Sequence, residues 1–122
     1  MFQKILVGYD GSKGGRAALE RAAALAREGK AQLTALWVRQ PLPRHADLPG
    51  EPEGEAEAAA DYFEERRREV AELAKQQGIE IACESRAGHA AKVIVNFAKE
   101  GGYDLAALGQ SALAHVRALG EG

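Results

Sequence analysis

The chain has 122 residues, of which 46% are hydrophobic and 28% are charged, and its formal net charge is −2. This length suits one domain with a single modest core, and the small charge provides no field that would hold nucleic acid or an anionic membrane. No apolar run approaches the roughly 18 residues of a membrane span, and a single cysteine excludes an internal disulfide. We therefore expect a cytoplasmic protein that binds neither nucleic acid nor membrane.

The segment over residues 4–12 starts as a short apolar run and ends with an acid, a glycine and a hydroxyl residue: Asp10, Gly11 and Ser12. A short apolar run followed by turn residues predicts a strand that is covered on both faces. Ser12 is the predicted N-cap of the helix that follows, and Gly29 is its predicted C-cap. Polar groups at the carboxyl end of such a strand lie where open α/β sheets bind ligands.

Three more strands alternate with two more helices in the rest of the sequence. In chain order, the pattern predicts a strand over 31–38, a proline-rich loop over 39–54, a helix over 55–77, an edge strand over 79–86, a helix over 89–100 and a strand that opens at Asp104. The alternating order predicts a parallel sheet with right-handed crossovers, and the pattern predicts no further strand after Gly109. The proline-rich loop follows the carboxyl end of a strand, so it is either a lid over that end or an exposed connector.

Two features of the later sequence have competing interpretations. The run Arg66-Arg67-Arg68 suggests a patch for phosphate or nucleic acid, but four glutamates within residues 64–72 surround it. Their charges favour a solvated helix face. The stems of Arg66 and Arg67 are nevertheless available to extend the apolar stripe of the same helix, which consists of Ala59, Phe63, Val70, Leu73 and Ala74. Cys83 shares the apolar phase of the alternating strand, so we expect a small buried hydrophobic side chain rather than a nucleophile.

Spaced motifs run through nearly the whole chain in a fixed order. They are Lys4-Ile5-Leu6-Val7 through Asp10-Gly11-Ser12, Ala18-Leu19, Leu25-Ala26, and the series Gly88, Ile94, Ala98, Asp104, Leu105 and Gly109. Together they resemble the universal stress protein family, the UspA-like branch of the adenine nucleotide α-hydrolase-like folds. The resemblance implies an open α/β parallel sheet with helices on both faces and strand order 3-2-1-4-5. Because the usual fifth strand is missing from the pattern, we expect order 3-2-1-4 in a single UspA-like domain over residues 1–122, shortened at its C-terminus.

Some members of that family bind ATP through the motif Gly-x2-Gly-x9-Gly-Ser/Thr after the fourth strand, where backbone N–H groups and a helix N-terminus meet the phosphates. In this sequence Gly109 takes the first position, and Gln110 follows it. Ala112 stands in place of the second glycine, and Gly122 falls at the third with no hydroxyl residue after it. An alternative alignment takes Gly120 as the third glycine. In either alignment the phosphate cradle is incomplete.

The other nucleotide contacts of the family are matched by this sequence. The resemblance assigns Asp10 to the ribose and to the Mg²⁺ of Mg-ATP, and it assigns Val38 to the adenine through its backbone. Both positions also have structural explanations, since Asp10 suits a turn and Val38 suits a strand. The candidate cofactor-binding residues are Asp10, Gly11, Ser12, Val38, Gly109, Gln110, Ala112 and Gly122, with Asp10 as the candidate metal contact.

Three functions follow from these residues. The first is a regulatory stress-response domain that binds ATP with Mg²⁺ in the crevice between strands 1 and 4. The second is a nucleotide-free member of the family that acts through dimerisation or partner contact, where an unpaired fourth strand recruits another chain. The third, a slow ATP hydrolase, has the least support, since His45, His89 and His115 pair with no nucleophile and lack metal-ligand spacing. We expect a homodimer or larger self-association, no catalytic residues and no dedicated enzyme.

Overall fold

The computed structural model describes residues 3–39, 52–107 and 113–115. The elements in chain order are β1 (Lys4–Gly8), α1 (Lys13–Gly29), β2 (Gln32–Arg39), α2 (Pro52–Gln77), β3 (Ile81–Ala87), α3 (Ala90–Glu100), β4 (Leu105–Ala107) and β5 (Leu113–His115). Within these ranges the strands form one sheet in the order β3-β2-β1-β4-β5, and the first four strands are parallel. The predicted parallel order 3-2-1-4 is therefore confirmed. In the same ranges, no helix combines the length and the apolar character of a membrane span.

A fifth strand pairs with β4, so the prediction of no strand after Gly109 is wrong. β5 runs antiparallel to β4, with His115 opposite Leu105 and Leu113 opposite Ala107. A strand of this length is too short to show an alternating pattern in the sequence, and the free backbone groups of β4 supply the hydrogen-bonding partner that stabilises it. β4 is therefore not the open edge that the sequence pattern suggests, and recruitment of another chain at that edge has no basis in this sheet.

α2 begins at Pro52, three residues before its predicted start. Proline is tolerated in the first turn of a helix, because its missing N–H has no intrahelical partner there in any case. The proline-rich loop is accordingly shorter than the predicted span over 39–54. Its remaining residues, 40–51, lie outside the described part of the chain, and so does the hypothesis that they form a lid.

α1 begins where the sequence predicts and is capped one residue later than predicted. The Oγ of Ser12 accepts the backbone N–H of Gly15 at 3.0 Å, which confirms the N-cap. At the other end the C-cap is Lys30, which adopts φ of 54° and donates its backbone N–H to the carbonyl of Ala26, rather than Gly29. Glycine is the usual residue in this left-handed conformation, but a lysine here places its positive charge at the negative end of the helix dipole.

The alternation of β1 shows how the sheet is covered on both faces. Ile5 and Val7 pack in the core between the sheet and the pair α1 and α2, whereas Leu6 packs in a separate core beneath α3. All three side chains are fully buried. A strand that is buried on both faces needs apolar residues at consecutive positions, which explains why β1 lacks the polar alternation of an exposed strand.

β3 is the edge strand that its alternating sequence predicts, with side chains that are alternately half-buried and exposed. Cys83 lies half-buried against the core of α1 and α2. Burial raises the pKa of its thiol to about 11. A thiol with such a high pKa forms almost no thiolate at neutral pH, so this environment agrees with a packing role and not with a nucleophile.

Leu6 provides a test of the packing around the central strand. Replacing Leu6 by Ala should lower the free energy of unfolding by about 2–5 kcal/mol, because the substitution leaves a cavity in a fully buried site. Urea denaturation followed by circular dichroism measures this change. The matched control is Leu25→Ala on α1, where the leucine is 37% exposed and the expected loss is below about 1 kcal/mol. Equal losses in the two variants would contradict the core described above.

The environment of Cys83 predicts slow thiol chemistry in the native protein. At mildly alkaline pH an aromatic disulfide reagent should modify native Cys83 at least about tenfold more slowly than the thiol of the urea-unfolded chain, because the raised pKa and the partial burial both suppress thiolate attack. The absorbance of the released aromatic thiolate measures both rates, and glutathione in the two solvents corrects for the effect of urea on the reagent. Equal corrected rates would show that the thiol is freely accessible.

Candidate functional site

The parallel pairing of β1 with β4 places two chain exits at one edge of the sheet. Ile5 lies opposite Leu105 and Val7 lies opposite Ala107, while β2 pairs with the other side of β1. The strand order turns around at this point, since β2 and β3 lie on one side of β1 and β4 lies on the other. Such a switch point is where open α/β sheets form a ligand crevice. The predicted adjacency of the first and fourth strands is confirmed.

Part of the predicted site lies within the described residues. Asp10, Gly11 and Ser12 form the turn from β1 into α1, and Val38 lies in β2. Gly8 of β1 is opposite Leu36 of β2. Asp10 lies two residues after Gly8 and Val38 lies two residues after Leu36, so both lie at the same level of the sheet edge. The other predicted residues lie outside the described part of the chain, and their placement stays a prediction: Gly109, Gln110, Ala112 and Gly122.

The turn after β1, formed by Asp10, Gly11 and Ser12, is held by a local hydrogen bond. The backbone N–H of Ser12 donates to Oδ1 of Asp10 at 2.9 Å. Gly11 adopts φ of 85°, a conformation that glycine reaches without steric cost. The side chain of Asp10 therefore helps to form the turn, as its position in the sequence suggests, and the residue remains exposed at the edge of the sheet.

The Asp10 carboxyl is ionised at neutral pH. Partial burial acts to raise its pKa, but hydrogen bonds from Ser12 and the positive charge of Arg66 outweigh burial and hold the pKa below its usual value. An ionised carboxylate accepts strong hydrogen bonds and is a preferred ligand of Mg²⁺. Across residues 3–39, 52–107 and 113–115, no group of three or more His, Cys, Asp or Glu side chains is arranged to hold a metal ion.

Two side chains of α2 close over this turn. The hydroxyl of Tyr62 donates a hydrogen bond to the backbone carbonyl of Asp10. The guanidinium of Arg66 lies against Gly11, so closely that a Cβ on Gly11 would stand 3.0 Å from both Cδ and Cζ of the arginine and nearer still to Nη1. Because glycine has no Cβ, the guanidinium of Arg66 can occupy the space beside residue 11.

Arg66 is held in place by several neighbours, and its side chain is only 12% exposed. Its Cζ lies 4.3 Å from the centre of the Tyr62 ring, which is a cation–π contact. Nη2 donates to Oε2 of Glu69 at 3.0 Å and to Oε2 of Glu65 at 3.1 Å. Nε is buried and has no acceptor among the described residues. The site therefore contains a fixed cation with unused hydrogen-bonding capacity.

The predicted solvated face of the arginine run is correct for Arg67 and wrong for Arg66. Arg67 is 56% exposed and pairs with Glu64 at 3.4 Å. Arg66 lies instead three residues after Phe63 and four residues before the buried Val70, on the packed face of the helix. That helical spacing makes the stem of Arg66 available to the apolar stripe, as the sequence indicates, but the burial of its guanidinium was not predicted.

Glu69 connects the arginine to the protein core. The hydroxyl of the buried Tyr9 donates to Oε1 of Glu69, and Oε2 of the same carboxylate accepts Nη2 of Arg66. Burial, together with the hydrogen bond and the negative charge of Glu69, raises the pKa of the Tyr9 phenol. The phenol therefore stays protonated and serves as a donor that fixes Glu69, which in turn fixes the guanidinium.

The exit of β2 adds an aromatic side chain to the same region. The ring centre of Trp37 lies 4.9 Å from that of Tyr62 and 6.2 Å from that of Phe63. The side chain of Val38 packs on the opposite face of the sheet, against the core beneath α3. The fold thus brings Trp37 to Tyr62, and a contact between the backbone of Val38 and a ligand stays a prediction.

Gly11→Ala tests the contact between the turn and Arg66. The added methyl group collides with the guanidinium at an unfavourable φ, so the free energy of unfolding should fall by about 2–4 kcal/mol. Gly102→Ala is the matched control, because Gly102 has φ of 71° and no described atom within 4 Å of an added Cβ. The control carries the backbone strain without the collision, and its loss should be about 1–2 kcal/mol. Urea unfolding measures both variants, and equal losses would contradict close packing of Arg66 on the turn.

Comparisons with known proteins agree with this architecture. The model of the universal stress protein family matches residues 1–120. A solved protein of that family from Burkholderia pseudomallei is 27% identical over 85% of this chain and 78% of its own, with a TM-score of 0.68. UspA from Lactobacillus plantarum is 23% identical over 95% and 88% of the two chains, with a TM-score of 0.70. A universal stress protein solved in complex with cAMP is 24% identical over 86% and 70%, with a TM-score of 0.63.

The comparison with curated protein sequences gives no significant match. The solved structures that are less than 25% identical to this chain establish a shared fold. The family model is the evidence for family membership, because it spans nearly the whole sequence. The switch point between β1 and β4 and the Asp10 turn lie within the matched region. The chain therefore belongs to the universal stress protein family.

Proposed function

We propose that this chain is a regulatory stress-response domain that binds an adenine nucleotide, ATP with Mg²⁺, at the crevice between β1 and β4. The observation that carries the proposal is the exposed, ionised carboxylate of Asp10 at the switch point of the sheet. A family relative solved in complex with cAMP supports adenine nucleotides as the ligand class.

Asp10 suits the sugar portion of a nucleotide. Ribose hydroxyls are hydrogen-bond donors, and a carboxylate accepts several hydrogen bonds at once. The hydrogen bond from Ser12 already orients this carboxylate, so it needs no rearrangement to accept a hydroxyl group. α1 starts at the same turn and has no acidic residue in its first turn, so the positive end of its dipole is available to the anionic part of the ligand.

Mg²⁺ fits these residues together with the nucleotide. In nucleotide sites the ion is usually bound by one or two carboxylates, by phosphate oxygens and by water. Asp10 provides one such carboxylate, and the ligand provides the phosphate oxygens. The ion then neutralises the negative charge that the phosphates would otherwise present to Asp10.

A second candidate is a nucleotide-free regulatory protein that acts as a homodimer or through a partner. Ala112 stands where the family motif has a glycine, and its Cβ reduces the space in which backbone N–H groups approach a phosphate. In this second candidate the Asp10 turn serves the fold alone. Both candidates include a cytoplasmic location and self-association.

Calorimetric titration with ATP and Mg²⁺ tests the proposal on two isosteric variants. Asp10→Asn keeps an oxygen for the Ser12 N–H but removes the charge, so the affinity for ATP should fall by about tenfold to a hundredfold, as expected for a lost charged hydrogen bond. Glu80→Gln is the matched control, since Glu80 is exposed next to the amino end of β3, at the opposite edge of the sheet. Its affinity for ATP should equal that of the wild type.

The remaining outcomes decide between the two candidates. Wild-type protein that binds none of ATP, ADP, AMP and cAMP at millimolar concentration would exclude the nucleotide proposal and favour the partner-binding candidate. ATP binding that is equal in wild type and Asp10→Asn would remove Asp10 from the site. Chelation of Mg²⁺ should weaken the binding of ATP and leave that of adenosine unchanged, because only ATP presents phosphates to the ion.

A further inference from the structure

Asp10 and Arg66 carry opposite charges at the same turn, yet they form no ion pair with each other. Arg66 pairs with Glu65 and Glu69, and Asp10 accepts the backbone N–H of Ser12. The two groups nevertheless lie near each other, because the guanidinium of Arg66 packs against Gly11, the residue after Asp10, and Tyr62 contacts both the guanidinium and the Asp10 carbonyl. They are close enough to interact and too far apart to bond directly.

Arg66 retains donors that no described residue uses. Nη2 is committed to the two glutamates, whereas Nη1 lies against Gly11 and Nε is buried without an acceptor. A buried donor without an acceptor is unfavourable by an amount comparable to a lost hydrogen bond. A ligand that brings an acceptor to the turn after β1 would meet Nη1, the donor that lies there, and would give the guanidinium a further hydrogen bond.

The surrounding charges determine which acceptor suits this position. Glu65 and Glu69 pair with the guanidinium, and Asp10 precedes Gly11, on which the guanidinium packs. Three carboxylates therefore lie near one positive charge. A phosphate group placed directly on Arg66, without Mg²⁺ to neutralise it, would meet a net negative charge and would be repelled. A hydroxyl group is neutral, and it accepts a hydrogen bond from a guanidinium while it donates one to a carboxylate. The pair Asp10 and Arg66 therefore matches a sugar hydroxyl better than a phosphate.

We propose that Arg66 is a specificity-determining residue that, together with Asp10, recognises a ribose hydroxyl and so distinguishes a nucleotide that carries this hydroxyl from the deoxy analogue that lacks it. The proposal deepens the proposed nucleotide site and rests on it for the identity of the ligand. Arg66 donates to the hydroxyl oxygen, and the hydroxyl donates to the Asp10 carboxylate. A deoxy analogue leaves both charged groups without this partner, which is the physical origin of discrimination against a ligand that lacks a hydroxyl.

The position for this hydroxyl is organised before a ligand binds. Tyr62 holds the carbonyl of Asp10 through its hydroxyl and the guanidinium through its ring. Glu69, itself fixed by Tyr9, holds Nη2 of the arginine. Because these groups are already ordered in the folded protein, binding sacrifices little further side-chain entropy.

A comparison of ligands and variants tests the role of Arg66. Calorimetry with ATP, 2′-deoxy-ATP and 3′-deoxy-ATP gives the ribose preference of each protein, and wild type should bind ATP about tenfold more tightly than at least one deoxy analogue. Arg66→Met removes the donors but retains an unbranched side chain, so this preference should fall to about twofold or less. Arg66→Lys should keep part of it. Arg67→Met removes the same charge from an exposed position on α2 and should keep all of it.

The alternative outcomes overturn the proposal without ambiguity. An Arg66→Met variant that loses affinity equally for all three ligands would show that the arginine only maintains the structure. Wild-type protein with no ribose preference would exclude hydroxyl recognition altogether. Circular dichroism spectra of each variant establish that the fold is retained.

If wild-type protein binds no nucleotide, the proposed function fails. A separate measurement then tests hydroxyl recognition by Arg66 without a nucleotide. The Nε–H signal of Arg66 in ¹H–¹⁵N spectra, assigned through its loss in Arg66→Lys, reports on the turn after β1 directly. Addition of D-ribose should shift this signal more than addition of at least one of 2-deoxy-D-ribose and 3-deoxy-D-ribose. Identical responses to the three sugars, or no response to any of them, would overturn the proposal.

Discussion

β1 pairs with β2 on one side and with β4 on the other, and its central side chains are buried beneath helices on both faces. Because these positions must be apolar, the first acidic side chain after β1 appears only beyond the end of the strand, at Asp10. The constraint that builds the core thus also places an exposed charge at the switch point of the sheet. The location of the candidate site is in this sense a consequence of the topology.

α2 forms the second side of the site through side chains that also fix the helix against the sheet. Apolar contacts such as those of Val70 and Leu73 are compatible with small rotations of a helix, because they have no preferred direction. Arg66 has directional requirements, since its guanidinium must meet Glu69, the Tyr62 ring and the space above Gly11 together. The polar network therefore defines the orientation of α2, and it does so at the turn that carries Asp10.

The sequence was sufficient for features that depend on local patterns and insufficient for features that depend on distant partners. The parallel order of β1 to β4 and the Ser12 cap follow from apolar runs, turn residues and the alternation of strands with helices. β5 escapes prediction because three residues have no periodicity, and only the neighbouring β4 gives them a partner. Helical phase makes the stem of Arg66 available to the apolar stripe of α2, but the burial of its guanidinium escapes prediction because the surrounding glutamates favour a solvated face. Its explanation lies in Gly11, more than fifty residues earlier in the chain.

The structural role of Asp10 and its proposed binding role support each other. The hydrogen bond from Ser12 uses Oδ1 and holds the carboxylate in one orientation, so the group is organised by folding and not by the ligand. The segment after β4 is expected to act differently, because its departure from the family motif at Ala112 concerns the proposed phosphate contacts. In the proposed site the two halves then contribute different properties. We propose that the segment after β4 governs how tightly the charged phosphates are held, and that the turn after β1, with Arg66 over it, governs which sugar is accepted. Under this proposal, a substitution in the segment after β4 should change the affinity for all nucleotides together, because the proposed sugar contacts depend on the core and on α2.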